Sequence, residues 1–167
     1  MRRVVDTNVP MVANGGHATA SVECMAACAR ALQAVMEGHL FVDQGGQIVT
    51  EYRANLTAYG DPRPGNAFMK WVLTNEWNPR RVTRVTLTPD GADGFLELDR
   101  PPAGVDYDRS DRVFLAVSAG HPEHPRILQA LDSKWWGWQA ALKTSGVTIQ
   151  FLCADEIERK FKEKIGD

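Results

Sequence analysis

Four acids in this chain, Asp6, Glu51, Asp111 and Asp132, share a kind of position. Asp6 closes the apolar run Val4-Val5, and Asp132 follows the apolar run from Ile127 to Leu131. Glu51 and Asp111 fall in the first turns of expected helices. Acids at the ends of buried parallel strands, or at the starts of the helices that follow, face the carboxyl edge of an α/β sheet, where such folds place their ligands. One edge can therefore gather all four. Carboxylates so crowded repel one another unless a cation neutralises them. An oxygen-only ligand set suits magnesium or manganese, whereas zinc would want His or Cys and the calcium-loop spacing is absent. Such an ion lowers the pKa of a water and stabilises the charge that develops when a phosphodiester is attacked. A lone acid at a strand end more often caps the next helix, which is the expectation for Asp43 and Asp108.

The elements that must position these acids follow from periodicity and punctuation. Arg2 to Val9 opens as a strand, and Pro10 to His17, with Asn14-Gly15-Gly16, reads as a loop. Thr19 or Ser21 caps a helix from Val22 to Met36, whose apolar residues recur at helical spacing until Gly38 ends it. His39 to Asp43 is a second strand, and strand-helix-strand opens a parallel α/β sheet. A helix carrying Ile48, Glu51 and Tyr52 follows, broken at Asp61-Pro62-Arg63-Pro64-Gly65, then a helix around Phe68 and Trp71 that stops at Asn78-Pro79. Residues 80–98 read as an inserted β-hairpin or a pair of short strands, with the turn at Pro89 to Gly94. Arg80, Arg81 and Arg84 form its basic end, either a solvated face or a grip for phosphates. Beyond the linker Pro101-Pro102-Ala103-Gly104 come a helix at Arg112 to Ala119, the run ending on Asp132, a short helix at Trp138 to Leu142, an edge strand at Val147 to Leu152 and a charged terminal helix.

A chain of 167 residues with 44% hydrophobic and 24% charged residues has the makings of one globular domain over residues 1–167. Its net charge of -2 announces no global basic field for nucleic acid, although a local basic rim would suffice. Three cysteines, Cys24, Cys28 and Cys153, form no set of pairs, which favours reduced thiols and a cytoplasmic location. No apolar run is long enough for a membrane span. Trp135, Trp136 and Trp138 are candidates for base stacking, with packing in the core or a homodimer the stronger reading for at least two. The His121-Pro122-Glu123-His124-Pro125 loop lacks a third ligand and reads as surface.

Val4-Val5-Asp6-Thr7-Asn8-Val9, Ile48-Val49-Thr50-Glu51-Tyr52, Asp111-Arg112-Val113-Phe114-Leu115-Ala116-Val117 and Leu128-Gln129-Ala130-Leu131-Asp132-Ser133 resemble, in order, the successive acidic motifs of the PIN domain family. The resemblance runs from residue 2 to about 155. It implies a three-layer α/β/α sandwich around a mainly parallel sheet, and an Mg²⁺- or Mn²⁺-dependent ribonuclease of the kind that serves as toxin in toxin-antitoxin or defence modules, with an antitoxin protein as partner. By the same resemblance Asp6, Glu51, Asp111 and Asp132 hold the metal and Asn8 supports the first carboxylate or a metal water, with Asp108 in support. Many relatives carry a further acid two residues after the last aspartate; this chain has Lys134, which weakens a second metal site or serves as a phosphate contact. Two other readings stand beside it. One is a catalytically inactive PIN-like RNA-binding or scaffold protein, for which Lys134 speaks. The other is a phosphatase of the haloacid dehalogenase type, against which Asn8 stands where that chemistry needs a second acid.

Overall fold

The fold is described from a computed structural model covering residues 1–166. Strand β1 (Arg2–Val5) leads into a short helix α1 (Asn8–Ala13), where a loop was expected. Pro10 lies in the first turn of α1, where a missing N–H costs no hydrogen bond, and Val9, Val12 and Ala13 give the turn a buried face. Helix α2 (Val22–Glu37) starts as expected at Ser21, whose hydroxyl accepts from the Cys24 amide at 3.0 Å, and ends at Gly38. Then come β2 (His39–Asp43), α3 (Gln47–Asn55), α4 (Pro64–Asn75) and β3 (Val82–Val85). A small hairpin of β4 (Pro89–Asp90) and β5 (Gly94–Phe95) follows, then α5 (Arg112–Gly120), β6 (Ile127–Gln129), α6 (Ser133–Thr144), β7 (Ile149–Phe151) and α7 (Ala154–Ile165). Helix α6 is longer than the expected Trp138–Leu142 and begins directly after Asp132.

The five principal strands form one sheet in the order β3-β2-β1-β6-β7, every neighbouring pair parallel. Helices flank the sheet, so the architecture is a three-layer α/β/α sandwich. Helices α1, α2 and α4 pack together, and α5 lies across β1, β2 and β6. Right-handed crossovers put helices that lead outward in opposite directions on opposite faces. The chain first moves from β1 to β2 and β3, then returns to β6 and β7 on the other side of β1. That reversal between β1 and β6 is a topological switch point, where the loops part and leave a crevice.

One correction concerns residues 80–98. The expected antiparallel hairpin is present only as β4 and β5, with Asp90 opposite Gly94. Val82–Val85 instead pairs in parallel with β2, Asp43 opposite Val85, and forms an edge of the main sheet. Its buried ends, Val82 and Val85, lie three residues apart and so face opposite sides of the sheet, which leaves no alternating apolar face to advertise the strand locally. A second correction concerns the thiols: Cys24 and Cys153 form a disulfide with Cα atoms 5.3 Å apart, and only Cys28 is free. Among the described residues no helix is long and apolar enough to cross a membrane.

The core runs as one cluster from Val4 to Cys153, with Trp135, Tyr52, Phe41 and Phe68 its largest fully buried side chains. Trp135 and Trp138 are both buried, and Trp136 packs on Phe151 with ring centroids 5.0 Å apart. The tryptophans therefore serve packing. Gly65, in the first turn of α4, donates to Asn14 Oδ1 at 2.7 Å, and a Cβ there would run into the Pro10 carbonyl. We expect Gly65→Ala to push α4 away from α1 and destabilise the protein by about 1–3 kcal/mol, the usual cost of overpacking, measured as a lowered urea midpoint at unchanged m-value.

Candidate active site

Asp6 is the first residue beyond β1. Its amide donates to the Leu128 carbonyl at 3.1 Å, so the sheet ladder fixes the backbone that carries the carboxylate. The carboxylate, 4% exposed, accepts from Gln129 Nε2 at 2.8 Å and from the Asn8 amide at 3.2 Å, both on Oδ1. Gln129, fully buried at the end of β6, also accepts on its Oε1 from the amides of Ala130 at 2.7 Å and Asp132 at 3.3 Å. One buried amide thus clamps the ends of β1 and β6 at the switch point, donating to the first acid and accepting from the backbone of the last. Gln129 was not a sequence candidate. The signal was there, a lone amide inside the apolar run Ile127-Leu128-Gln129-Ala130-Leu131, since a buried polar group demands partners.

Asn8 closes the same gap by a different bond from the one expected. Its side-chain Oδ1 accepts from the Leu131 amide at 2.7 Å, while its backbone, not its side chain, holds Asp6. Asp132 stands at the N-cap of α6 and accepts from the Lys134 amide at 3.1 Å. Asp111 occupies the residue before α5, 7% exposed, with no side-chain capping bond. The cap expected at Asp108 is therefore one turn early: Asp108 pairs with the Lys134 ammonium instead. Glu51, half-buried on α3, leans toward the Thr7 hydroxyl, which opposes the effect of its burial without completing a hydrogen bond of good geometry.

The electrostatics couple these acids to one another. Burial pushes the Asp6 carboxyl up to about 7; the bonds from Gln129 and Asn8 oppose the shift, and the charges of Glu51 and Asp132 add to it. Asp111 is pushed up to about 8, first by burial and then by Asp6, Asp132, Asp108 and Glu51. Burial raises Glu51 as well. Tyr52, whose hydroxyl donates to the Val5 carbonyl under the site, is held well above the usual phenol range by burial and by Asp6, Glu51 and Asp43. Lys134 is the cation at the rim, its pKa raised by the bond to Asp108 and by the fields of Asp132, Asp108 and Asp111. Asp43, as expected, is a cap: it accepts from the amides of Gln47 at 2.8 Å and Ile48 at 2.9 Å.

The three arginines do not join this cluster as one basic end. Arg80 and Arg81 precede β3 and so lie at the amino edge of the sheet, a strand's length of about 10 Å from the carboxyl edge; Arg81 donates to the Glu37 carbonyl at 3.3 Å. Arg84 reaches the carboxyl edge, but its guanidinium lies over the Trp77 ring at 3.8 Å, pairs with Glu76 at 3.4 Å and donates to the Gln44 carbonyl at 3.2 Å. It is spent on holding β3 to the loop after β2. Beside Asp111, a cavity of about 290 Å³ opens under the β4–β5 hairpin, lined in part by Phe95, Leu98, Asp106, Tyr107 and Arg112.

Comparison with family models, with curated proteins and with solved structures finds no match to this chain.

Carboxyls whose folded pKa exceeds the unfolded value bind more protons in the folded state, so their contribution to stability is complete below the unfolded pKa and lost as pH rises through the folded one. With Asp6 at about 7 and Asp111 at about 8, metal-free protein in chelator is expected to lose stability between pH about 4 and about 8. Asp6→Asn keeps the Gln129 bond partner and removes one charge; it should flatten that slope and be the more stable protein at pH 8, by on the order of 1–3 kcal/mol, read from urea unfolding at a series of pH values.

Proposed function

We propose that this chain is a metal-dependent endoribonuclease of PIN type that hydrolyses RNA phosphodiester bonds, with Asp6, Glu51, Asp111 and Asp132 as its metal-holding acids. The observation that carries the reading is that these four acids, from four separate elements at the switch point of a parallel sheet, feel one another's charge, with Asp6 raised to about 7 and Asp111 to about 8 by burial first and by their acidic neighbours second.

The donor set fits Mg²⁺ or Mn²⁺. It is all oxygen, strongly anionic and without a His or Cys among the four acids, as hard cations require. The Ser133 hydroxyl, next in sequence to Asp132 and buried, has no hydrogen-bond partner among the described residues, which leaves an oxygen donor free beside that carboxylate. When bound, the cation supplies charge neutralisation and Lewis acidity toward water and phosphoryl oxygen.

The chain's own residues then have distinct tasks. Asp6 and Asp111 would hold the cation as carboxylates, and Gln129 keeps the Asp6 carboxylate aimed. Asn8 and Gln129 together lock the β1 and β6 ends, so the spacing of Asp6 and Asp132 is preset before substrate arrives. The Lys134 ammonium, half-exposed and fixed by Asp108, is positioned to meet a phosphate oxygen of the incoming strand. Single-stranded or looped RNA suits an open sheet edge, because its backbone can be splayed across it. In this reading the protein is a toxin restrained by an antitoxin protein or part of a defence module. A second reading, a PIN-like RNA-binding or scaffold protein without catalysis, draws on the same Lys134–Asp108 pair, since a built-in cation relieves part of the repulsion that a metal would otherwise relieve.

The deciding assay is cleavage of single-stranded RNA in Mg²⁺ or Mn²⁺. Wild type should cleave, chelator should stop it, and Asp6→Asn or Asp111→Asn should lower the rate at least about a hundredfold. Intact cleavage in Asp6→Asn sinks the proposed centre; RNA binding with no cleavage in either metal selects the scaffold reading. Hydrolysis of small phosphate esters in place of RNA would point to a phosphatase. For Lys134→Ala we expect weaker RNA binding and a salt dependence of log K shallower by about 0.7, one single-strand phosphate contact, in a fluorescence titration.

A further inference from the structure

Away from the carboxylate crevice, Cys24, Cys28 and Cys153 bring three sulfurs within 4.8 Å of one another, all three residues buried. Cys24 and Cys28 are one helical turn apart on α2 and share its inner face; Cys153 arrives from the end of β7, at the cap of α7. A disulfide between Cys24 and Cys153 accounts for two of the sulfurs and leaves the third, Cys28, fully buried beside it with no role. Burial pushes the Cys28 thiol up to about 12, with the charge of Glu156 adding to the shift, so it stays protonated unless a bound cation displaces the proton. Its place suits that chemistry. Sulfur ligands about 2.3 Å from a tetrahedral zinc ion sit about 3.8 Å from each other, and three sulfurs already within 4.8 Å need only small side-chain rotations to reach that spacing.

We propose that Cys24, Cys28 and Cys153 form a redox-gated site for a soft divalent cation of the zinc class, separate from the carboxylate centre. In the reduced protein three thiolates bind one ion, and a fourth position opens to water through the groove alongside. That groove, about 400 Å³, is lined by Glu23, Cys24, Phe151, Cys153, Asp155 and Glu156, and its three carboxylates favour entry of a cation. In oxidising conditions the site closes as the Cys24–Cys153 disulfide. Opening it takes two electrons and two protons from a dithiol reductant, which itself becomes a cyclic disulfide: one S–S bond breaks here and one forms in the reductant. Binding of the ion then releases the three thiol protons.

Either state ties the same elements. Ser21 at the start of α2 donates through its amide to Glu156 of α7 at 3.3 Å, and its hydroxyl bonds the same carboxylate, so the cysteines and the Ser21–Glu156 contact together fasten α7 to α2. Ile157 is the buried residue of α7, which packs mainly along α6, so this fastening adds a second anchor, to α2. The proposal does not depend on the ribonuclease reading.

The test titrates Co²⁺ and then Zn²⁺ into full-length protein reduced with a phosphine and freed of metal. Thiolate ligation gives a sulfur-to-cobalt charge-transfer band that carboxylate ligation cannot, so the acid cluster does not interfere. One equivalent of Co²⁺ should develop the band, one of Zn²⁺ should bleach it, and the count of reactive thiols should fall from three to zero. Cys28→Ser should keep the disulfide on oxidation but lose the band, with Zn²⁺ affinity reduced at least about tenfold. Absence of the band in reduced wild type overturns the site, as does an unchanged band in Cys28→Ser. Should Cys28→Ser not fold, Cys28→Ala and the wild-type thiol count decide the same question.

Discussion

Carboxylates brought together inside a protein repel each other and resist leaving water, so a fold that gathers them must hold them by bonds that do not depend on their charge. Here the holding group is the neutral amide of Gln129. Buried in β6, it donates to Asp6 across the switch point and accepts from the Ala130 and Asp132 amides, so the two central strands end in one hydrogen-bonded frame. Asn8 repeats the linkage one residue on, through the Leu131 amide. The acids are preorganised by neutral partners, and their charge is left uncompensated except at the rim, where Lys134 meets Asp108.

This arrangement explains why the electrostatic strain falls unevenly. Asp6 and Asp111 take most of it because both are buried, and the hydrogen bonds to Asp6 only partly offset its desolvation. Asp43, a carboxylate equally buried at the end of the neighbouring strand, is fully engaged by the amides of Gln47 and Ile48 at the start of α3. Two aspartates in matching topological places are thus held differently: Asp43 takes an amide from the start of α3 on each of its oxygens, whereas Asp6 takes both its bonds, from the Asn8 amide at the start of α1 and from Gln129, on Oδ1. The less fully engaged of the two, Asp6, is where a cation would be most strongly attracted, and this is the physical core of the nuclease proposal.

The basic residues tell the complementary story. A run of arginines in sequence invites assignment to phosphate binding, yet a parallel strand sends its two ends to opposite edges of the sheet, and β3 separates Arg80 and Arg81 from the acids by its own length. Arg84 reaches the right edge but packs on Trp77 and pairs with Glu76, fixing an edge strand in place. Lys134, a single residue in sequence, is the cation that the fold delivers to the site.

Much of the architecture was written in short windows of sequence. The helical spacing from Val22 to Met36, the Ser21 cap, the Gly38 stop, the strand at His39 to Asp43 and the capping role of Asp43 depend on neighbours within about four residues, and the chain alone determined them. The recurrence of acids at strand ends and helix starts is equally legible in the sequence. Other features depend on partners far along the chain. Gln129 bonds Asp6 across 123 residues, Cys24 meets Cys153 across 129, and β3 joins the sheet by pairing with β2 rather than with the strand next in sequence. Helix α1 formed where proline and glycines read as a loop, because burial of Val9 and Val12 against α2 and α4 outweighed local propensity. Spacing and capping obey chemistry that a few residues contain; which distant group satisfies a buried amide, a thiol or a carboxylate is decided only when packing brings the two together.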